Sequence, residues 1–449
     1  MSQATEDYMV NDFKAVYRFY PVGQGLFASG ALSAPNNQLR FTWVYDCGTV
    51  SSQDLLKASL ANFKGWTFGT LNSGKPKLDL VVISHFDRDH ISGLVLLLER
   101  FSVGTLLLPY MPLWQRLVLA FSEGIDTQQV LMTFFVNPVA YLTGLEDVSI
   151  DRLVFVPGSG TEGRAAPSED PTEMPEEPVT DGRWPLIIDG QQPDDDDDDD
   201  DDERADFQHF REEQSARRTK VSMLRTGSSL RVGKKWEFVP YNNPELAPSV
   251  DQIFRDAVKE RREALLRVKT EEKRKAALVE LRDAYDKHFG KGNRNLGSLF
   301  LYAGCIGSSR IEYLCAEYRQ WELDKNSHLI SRWRCLEHSS RNRSGVLYTG
   351  DGYLDTSDRL DQLEKYMGDR RIKQLTCLQV MHHGSRRNWH EGVARRLAPD
   401  TSVFCADPDR KRFRHPHAEV VRDFLRFGPY LVDKSQGLTV WFRAGDCCK

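Results

Sequence analysis

No stretch of the 449 residues is a continuous apolar run of the roughly 20 residues that a membrane-spanning helix needs. The longest candidate, Leu80 to Phe101, is interrupted by His85, Asp87, Arg88, Asp89 and His90. Cysteine is sparse. The eight cysteines, at 47, 305, 315, 335, 377, 405, 447 and 448, lack the density of a disulfide framework. The opening residues MSQATEDYMVNDFK contain no basic segment followed by an apolar one, so no secretory leader is expected. No internal repeat stands out either, which sets aside solenoids and propellers. These absences predict a cytoplasmic protein with no membrane contact.

Charge is unevenly placed. The formal net charge is −5, but Asp194 to Glu203 is ten consecutive acidic residues, so the rest of the chain carries −5 + 10 = +5. The surrounding stretch, 158–220, is rich in Pro, Gly, Asp and Glu. It is predicted to be a disordered acidic insertion, with docking of a basic protein partner as the alternative. A second polar stretch, 250–292, places Ile253, Ala257, Ala264, Val268, Leu278, Leu281 and Tyr285 among many charges. That pattern predicts a helical pair packed on its own domain, a helix partner being the alternative. Residues 305–344 are read as a further helical insertion. The expected organisation is thus an N-terminal half at 1–157, the acidic insertion, and a C-terminal half at 221–449 interrupted by 250–292 and 305–344.

LDLVVIS at 78–84 reads as a strand covered on both faces, and ISGLVLLLERF after it has helical length and spacing. Between them lies His85-Phe-Asp-Arg-Asp-His90, four metal-competent side chains in six residues. Positions i, i+2, i+4 and i+5 cannot share one helix face, but a loop leaving a rigid strand can turn them toward one point. Imidazole and carboxylate donors without thiolate suit zinc, manganese or iron. A merely solvated turn would explain the charges and not the two histidines.

This motif resembles the HxHxDH signature of the metallo-β-lactamase superfamily, in the variant H-F-D-R-D-H. Other elements resemble the hydrolase domain of the DNA-uptake protein ComEC and its soluble relatives, in the same order along the chain. They are Val22-Gly-Gln-Gly25, Asp46-Cys-Gly48, Asn295-Leu-Gly-Ser298, Tyr348-Thr-Gly-Asp351, His382-His-Gly-Ser385 and Arg414-His-Pro-His417 with Glu419. The resemblance implies an α/β chain folded as an αββα sandwich, with polar and helical insertions, carrying two divalent ions, zinc or manganese. His85 and Asp87 would hold one ion and Asp89 and His90 the other. Asp351 would bridge them, and a histidine at 382 or 383 would complete the second site. Relatives with a different motif place that histidine directly before a small-residue turn, which favours His383 and leaves His382 facing the substrate. Asp46 would orient a ligand histidine. Asp89, His382 and His415 are the candidate catalytic groups.

Two departures bear on the metal. Asp87 replaces the second histidine of the signature, and no credible histidine lies between the first motif and Asp351. The first site is therefore expected to be oxygen-rich and to favour a harder ion or a loosely held zinc.

Residues 370–430 hold thirteen Lys or Arg against six Asp or Glu, a local balance of +7. With Arg386, Arg387 and Arg412 beside the motifs, this suits a phosphodiester substrate, DNA, RNA or a nucleotide. The alternatives are an ordinary solvated surface, a small-molecule esterase resembling phosphorylcholine esterases, and an inactive binding or sensor protein on the same fold.

Overall fold

Strand Lys77–Val82 shows why this chain forms an α/β structure. Leu80 and Val82 enter one apolar cluster, and Val81 and Ile83 enter another on the opposite face. A strand with both faces buried must be covered twice. The computed structural model describes residues 13–69, 74–158, 167–168, 183–188, 206–212, 219–243, 252–266, 271–289, 297–307, 309–323, 329–336, 343–411 and 414–446.

Two mixed sheets carry the described strands. The ten-stranded sheet runs Leu329–Leu336, Ser309–Leu323, Gln436–Asp446, Phe13–Phe19, Phe27–Ser33, Leu39–Cys47, Lys77–Val82, Ser102–Pro109, Ile150–Val156, Lys220–Met223. The eight-stranded sheet runs Pro429–Val432, Thr401–Cys405, Leu375–Gln379, Gly345–Tyr348, Leu299–Cys305, Trp236–Asn242, Leu230–Val232, Leu186–Ile188. Each is antiparallel in one part and parallel in the other. The parallel parts need crossovers, and helices supply them.

Tyr17, Trp43, Leu80 and Leu107 of the first sheet share one cluster with Trp236, Phe238, Leu301 and Val403 of the second. Polar links run through it: Tyr45 donates to the Leu299 carbonyl at 2.7 Å, and Leu299 N–H donates to the Ser84 carbonyl at 2.8 Å. Helix Gln53–Phe68 covers the first sheet from outside. Its N-cap Ser52 accepts from Asp54 N–H, it buries Leu56, Leu60 and Phe63, and Gly69 at φ 66° ends it. Helix Ser357–Met367 does the same for the second sheet, capped by Thr356 and burying Leu360, Leu363 and Met367, each contributing about 1.5–3 kcal/mol. Among the described residues no helix is long and apolar enough to cross a membrane.

Three sequence expectations change. Residues 305–344 are not helical where described: Ser309–Leu323 and Leu329–Leu336 pair with each other, and the first also pairs with Gln436–Asp446. Backbone partners more than a hundred residues away decide the outcome there. The 158–220 stretch is not uniformly detached. Leu186–Ile188 joins the second sheet, Arg183 pairs with Asp79, and residues 206–212 are helical with Asp206 and Phe210 fully buried. The Asp194–Glu203 run lies outside the described residues. The pair Gln252–Leu266 and Glu271–Phe289 is helical and packs against helix Leu113–Ser122 as expected. Its first helix, however, buries Phe254, Val258 and Leu265, leaving Ile253 62% exposed, while Val268 lies outside the described residues.

Candidate metal centre

Parallel strands deliver the candidate groups. Asp46 ends Leu39–Cys47, and the His85–His90 loop follows its parallel neighbour Lys77–Val82. Asp351 follows Gly345–Tyr348, His382 and His383 follow Leu375–Gln379, and His415 comes after Thr401–Cys405, three strands that are parallel in order. Carboxyl ends of parallel strands are where α/β sheets collect ligand-binding loops.

The loops then press together. Gly48 lets its turn lie against the motif, because a Cβ there would come within 2.5 Å of His90 N. Gly350 sits at φ 53°, and a Cβ on it would meet the Ser298 hydroxyl at 2.4 Å. That hydroxyl accepts from Asp351 N–H at 3.2 Å.

Asp351 is the hub. Its Oδ1 lies 3.0 Å from His90 Nε2 and 3.6 Å from His383 Nε2. Its Oδ2 lies 3.4 Å from His382 Nε2 and 3.9 Å from His85 Nε2. On the first side Asp89 Oδ2 is 3.2 Å from His383 Nε2, and donor atoms of Asp89, His90, Asp351 and His383 all lie within 4.8 Å of one another. On the other side Asp87 Oδ2 is 3.6 Å from His85 Nε2. His85 Nε2 and Asp87 Oδ1 are buried without a hydrogen-bond partner, which a cation would supply.

Supporting contacts orient these groups. His90 Nδ1 bonds Asp46 at 2.7 Å, so Nε2 is the nitrogen turned toward Asp351. His85 Nδ1 is held by Ser84 at 2.8 Å and His383 Nδ1 by the Cys405 carbonyl. His382 and His383 both adopt left-handed backbone, at φ 45° and 57°, a costly conformation that persists where surroundings enforce it. His382 N–H donating to Gly350 O at 3.0 Å is one such restraint.

A scan against protein-family models finds none that matches this chain, and a search of curated proteins finds no match.

The charges of the cluster pull its groups in different directions. Burial would raise Asp351, but His382, His90 and His383 around it hold it well below the usual carboxylate range. Burial likewise opposes ionisation of Asp89, and the His383 hydrogen bond and His90 overcome it, so Asp89 is held low. Asp87 is pushed up by burial and by the charges of Glu123, Asp89 and Asp351. Burial, with His90 beside it, pushes His85 down to about 3, leaving a neutral imidazole. Burial opposes protonation of His90 and His383, but Asp351 draws both up, with Asp46 beside the first and Asp89 beside the second. An entering cation would displace their protons, and the donors left, carboxylates and imidazoles, suit a divalent ion.

The remaining candidates divide. His415 lies beside His382, with ring centroids 5.7 Å apart and the rings tilted by 50°, and its Nδ1 is 3.2 Å from His417 Nδ1. Arg386 and Arg387 are exposed beyond the His382–Ser385 turn, Arg386 lying 3.6 Å from Glu419. Arg412 lies outside the described residues. Much of the local positive charge faces elsewhere: Arg370 and Arg371 pair with buried Glu237, and Arg396 pairs with Asp361 and Glu364.

Sequence reading missed three buried supports. Ser84 donates to Asp46 through N–H and hydroxyl at 2.7 and 2.6 Å. Gln379 Oε1 accepts from Thr349 and Gly350 N–H at 2.9 and 2.7 Å, and Asn388 donates to the Asp351 carbonyl at 2.8 Å. Only Gln379 had a visible signal, an amide closing an apolar strand.

Proposed function

We propose that the chain is a metal-dependent hydrolase with the αββα architecture of the metallo-β-lactamase superfamily, holding two divalent ions, zinc or manganese, and cleaving phosphodiester bonds. The observation that carries this is Asp351, whose two carboxylate oxygens face two separate sets of histidine and aspartate donors. Asp89, His90 and His383 would hold one ion with it, and His85 and Asp87 the other.

Bound there, two such ions would lower the pKa of a water between them and offset charge developing on the attacked phosphorus group. Asp46 fixes the His90 ring and its tautomer. Burial, aided by His383 and His382, pushes His415 down to about 3, so it is neutral near pH 7 and suits contacting the substrate better than protonating a leaving group. Arg386 and Arg387, exposed beyond the turn, would meet phosphate oxygens there.

A small phosphoester is the second reading, favoured because Arg370, Arg371 and Arg396 are engaged by acids rather than left for a polymer backbone. The test is hydrolysis of DNA, RNA, cyclic nucleotides and small phosphodiesters with Zn²⁺ or Mn²⁺, comparing wild type with Asp351→Ala. The variant is expected to lose hydrolysis and to bind both ions more weakly. Wild-type turnover in Asp351→Ala would reject the reading.

A further inference from the structure

We infer that His382 is a metal ligand, so that each ion is held by two imidazoles and two carboxylate groups; this rests on the two-ion reading above. Four donors surround the Oδ2 side of Asp351: that oxygen, His382 Nε2 at 3.4 Å from it, His85 Nε2 at 3.9 Å, and Asp87 Oδ2 at 3.6 Å from His85. Donors about 2.1 Å from a common ion lie roughly 3 to 3.5 Å apart, and these three separations, 3.4, 3.9 and 3.6 Å, approach that spacing. His85, with 2% of its side chain exposed, presents an Nε2 that no other group satisfies.

The backbone explains how adjacent histidines reach opposite sides of one carboxylate. Two consecutive left-handed residues turn the His382 and His383 rings 81° apart, with centroids 5.8 Å from each other. His383 then serves Asp351 Oδ1 and His382 serves Oδ2. The nitrogen lost where Asp87 replaces a histidine is thereby restored from a distant loop. Both sites become N2O2, which suits zinc at each rather than a hard ion at one.

The experiment measures zinc bound per chain, after equilibration with Zn²⁺ and buffer exchange, for full-length wild type, His382→Asn, His382→Gly and His415→Asn. Asn and Gly both tolerate the left-handed backbone at 382, and circular dichroism confirms that each variant is folded. The expected result is two equivalents for wild type and His415→Asn, and one for both His382 variants. Losing a supporting contact around a metal costs 10–100-fold in affinity, so losing a ligand is expected to cost more than about 100-fold at that one site. Two equivalents held with wild-type affinity in a folded His382 variant would overturn the inference and leave the two-ion reading standing. No zinc in wild type would overturn both.

Discussion

A histidine that stays neutral inside a fold leaves a mark on acid stability. His415 is held down to about 3, whereas an exposed histidine titrates near 6.5. Between those values the unfolded chain binds the extra proton, so this group lowers the stability of metal-free protein as pH falls from about 6.5 toward 3. Thermal melts of wild type and His415→Asn without metal should therefore diverge in acid, the variant losing less Tm between about pH 7 and 5. Parallel curves would mean that His415 ionises freely in the fold. At this scale the sequence was most informative. Clustered His and Asp identify themselves by type and spacing, whereas Ser84 and Asn388, equally buried beside Asp46 and Asp351, are ordinary residues whose role exists only once loops meet.

Elements were less legible than motifs. Strands with continuous apolar sequence, such as Lys77–Val82 and Thr401–Cys405, lie where their composition predicts. Helix Gln252–Leu266 shows the failure. Its positions 253, 257, 264 and 254, 258, 265 have the same spacing; packing fully buries the second set, holds Ala257 and Ala264 partly buried against the same cluster, and leaves Ile253 exposed. Residues 206–212 show another, because their acidic surroundings mask one buried turn. Asp206 accepts from Leu113 N–H and pairs with Arg262 at 3.2 Å and buried Arg116 at 3.9 Å. Removing one partner of a buried ion pair strands the other, so Asp206→Ala should cost about 3–5 kcal/mol in denaturant unfolding. A loss below about 1 kcal/mol would show this turn to be dispensable.

For the molecule as a whole, the donors come from both sheets, with residues 85–90 on one and 351, 382 and 383 on the other. Ions that bind only the folded chain stabilise it by mass action, about 2.7 kcal/mol per site at a hundredfold excess over Kd. Zn²⁺ or Mn²⁺ should raise Tm in wild type and much less in Asp351→Ala; equal shifts would place the ions elsewhere. If the substrate is a nucleic acid, Arg387→Ala should lower the log–log salt slope of binding by about one while leaving metal content unchanged. The pairing of strands into two sheets was not legible in composition or periodicity, which name strands without pairing them. One pairing has a consequence for synthesis. Strand Phe13–Phe19 lies between Phe27–Ser33 and Gln436–Asp446. On a ribosome it therefore waits, one edge bare, for a neighbour made more than four hundred residues later. Nascent fragments that end before that neighbour carry the whole His and Asp cluster on an unfinished sheet, so a stalled or truncated product is exposed to aggregation and proteolysis.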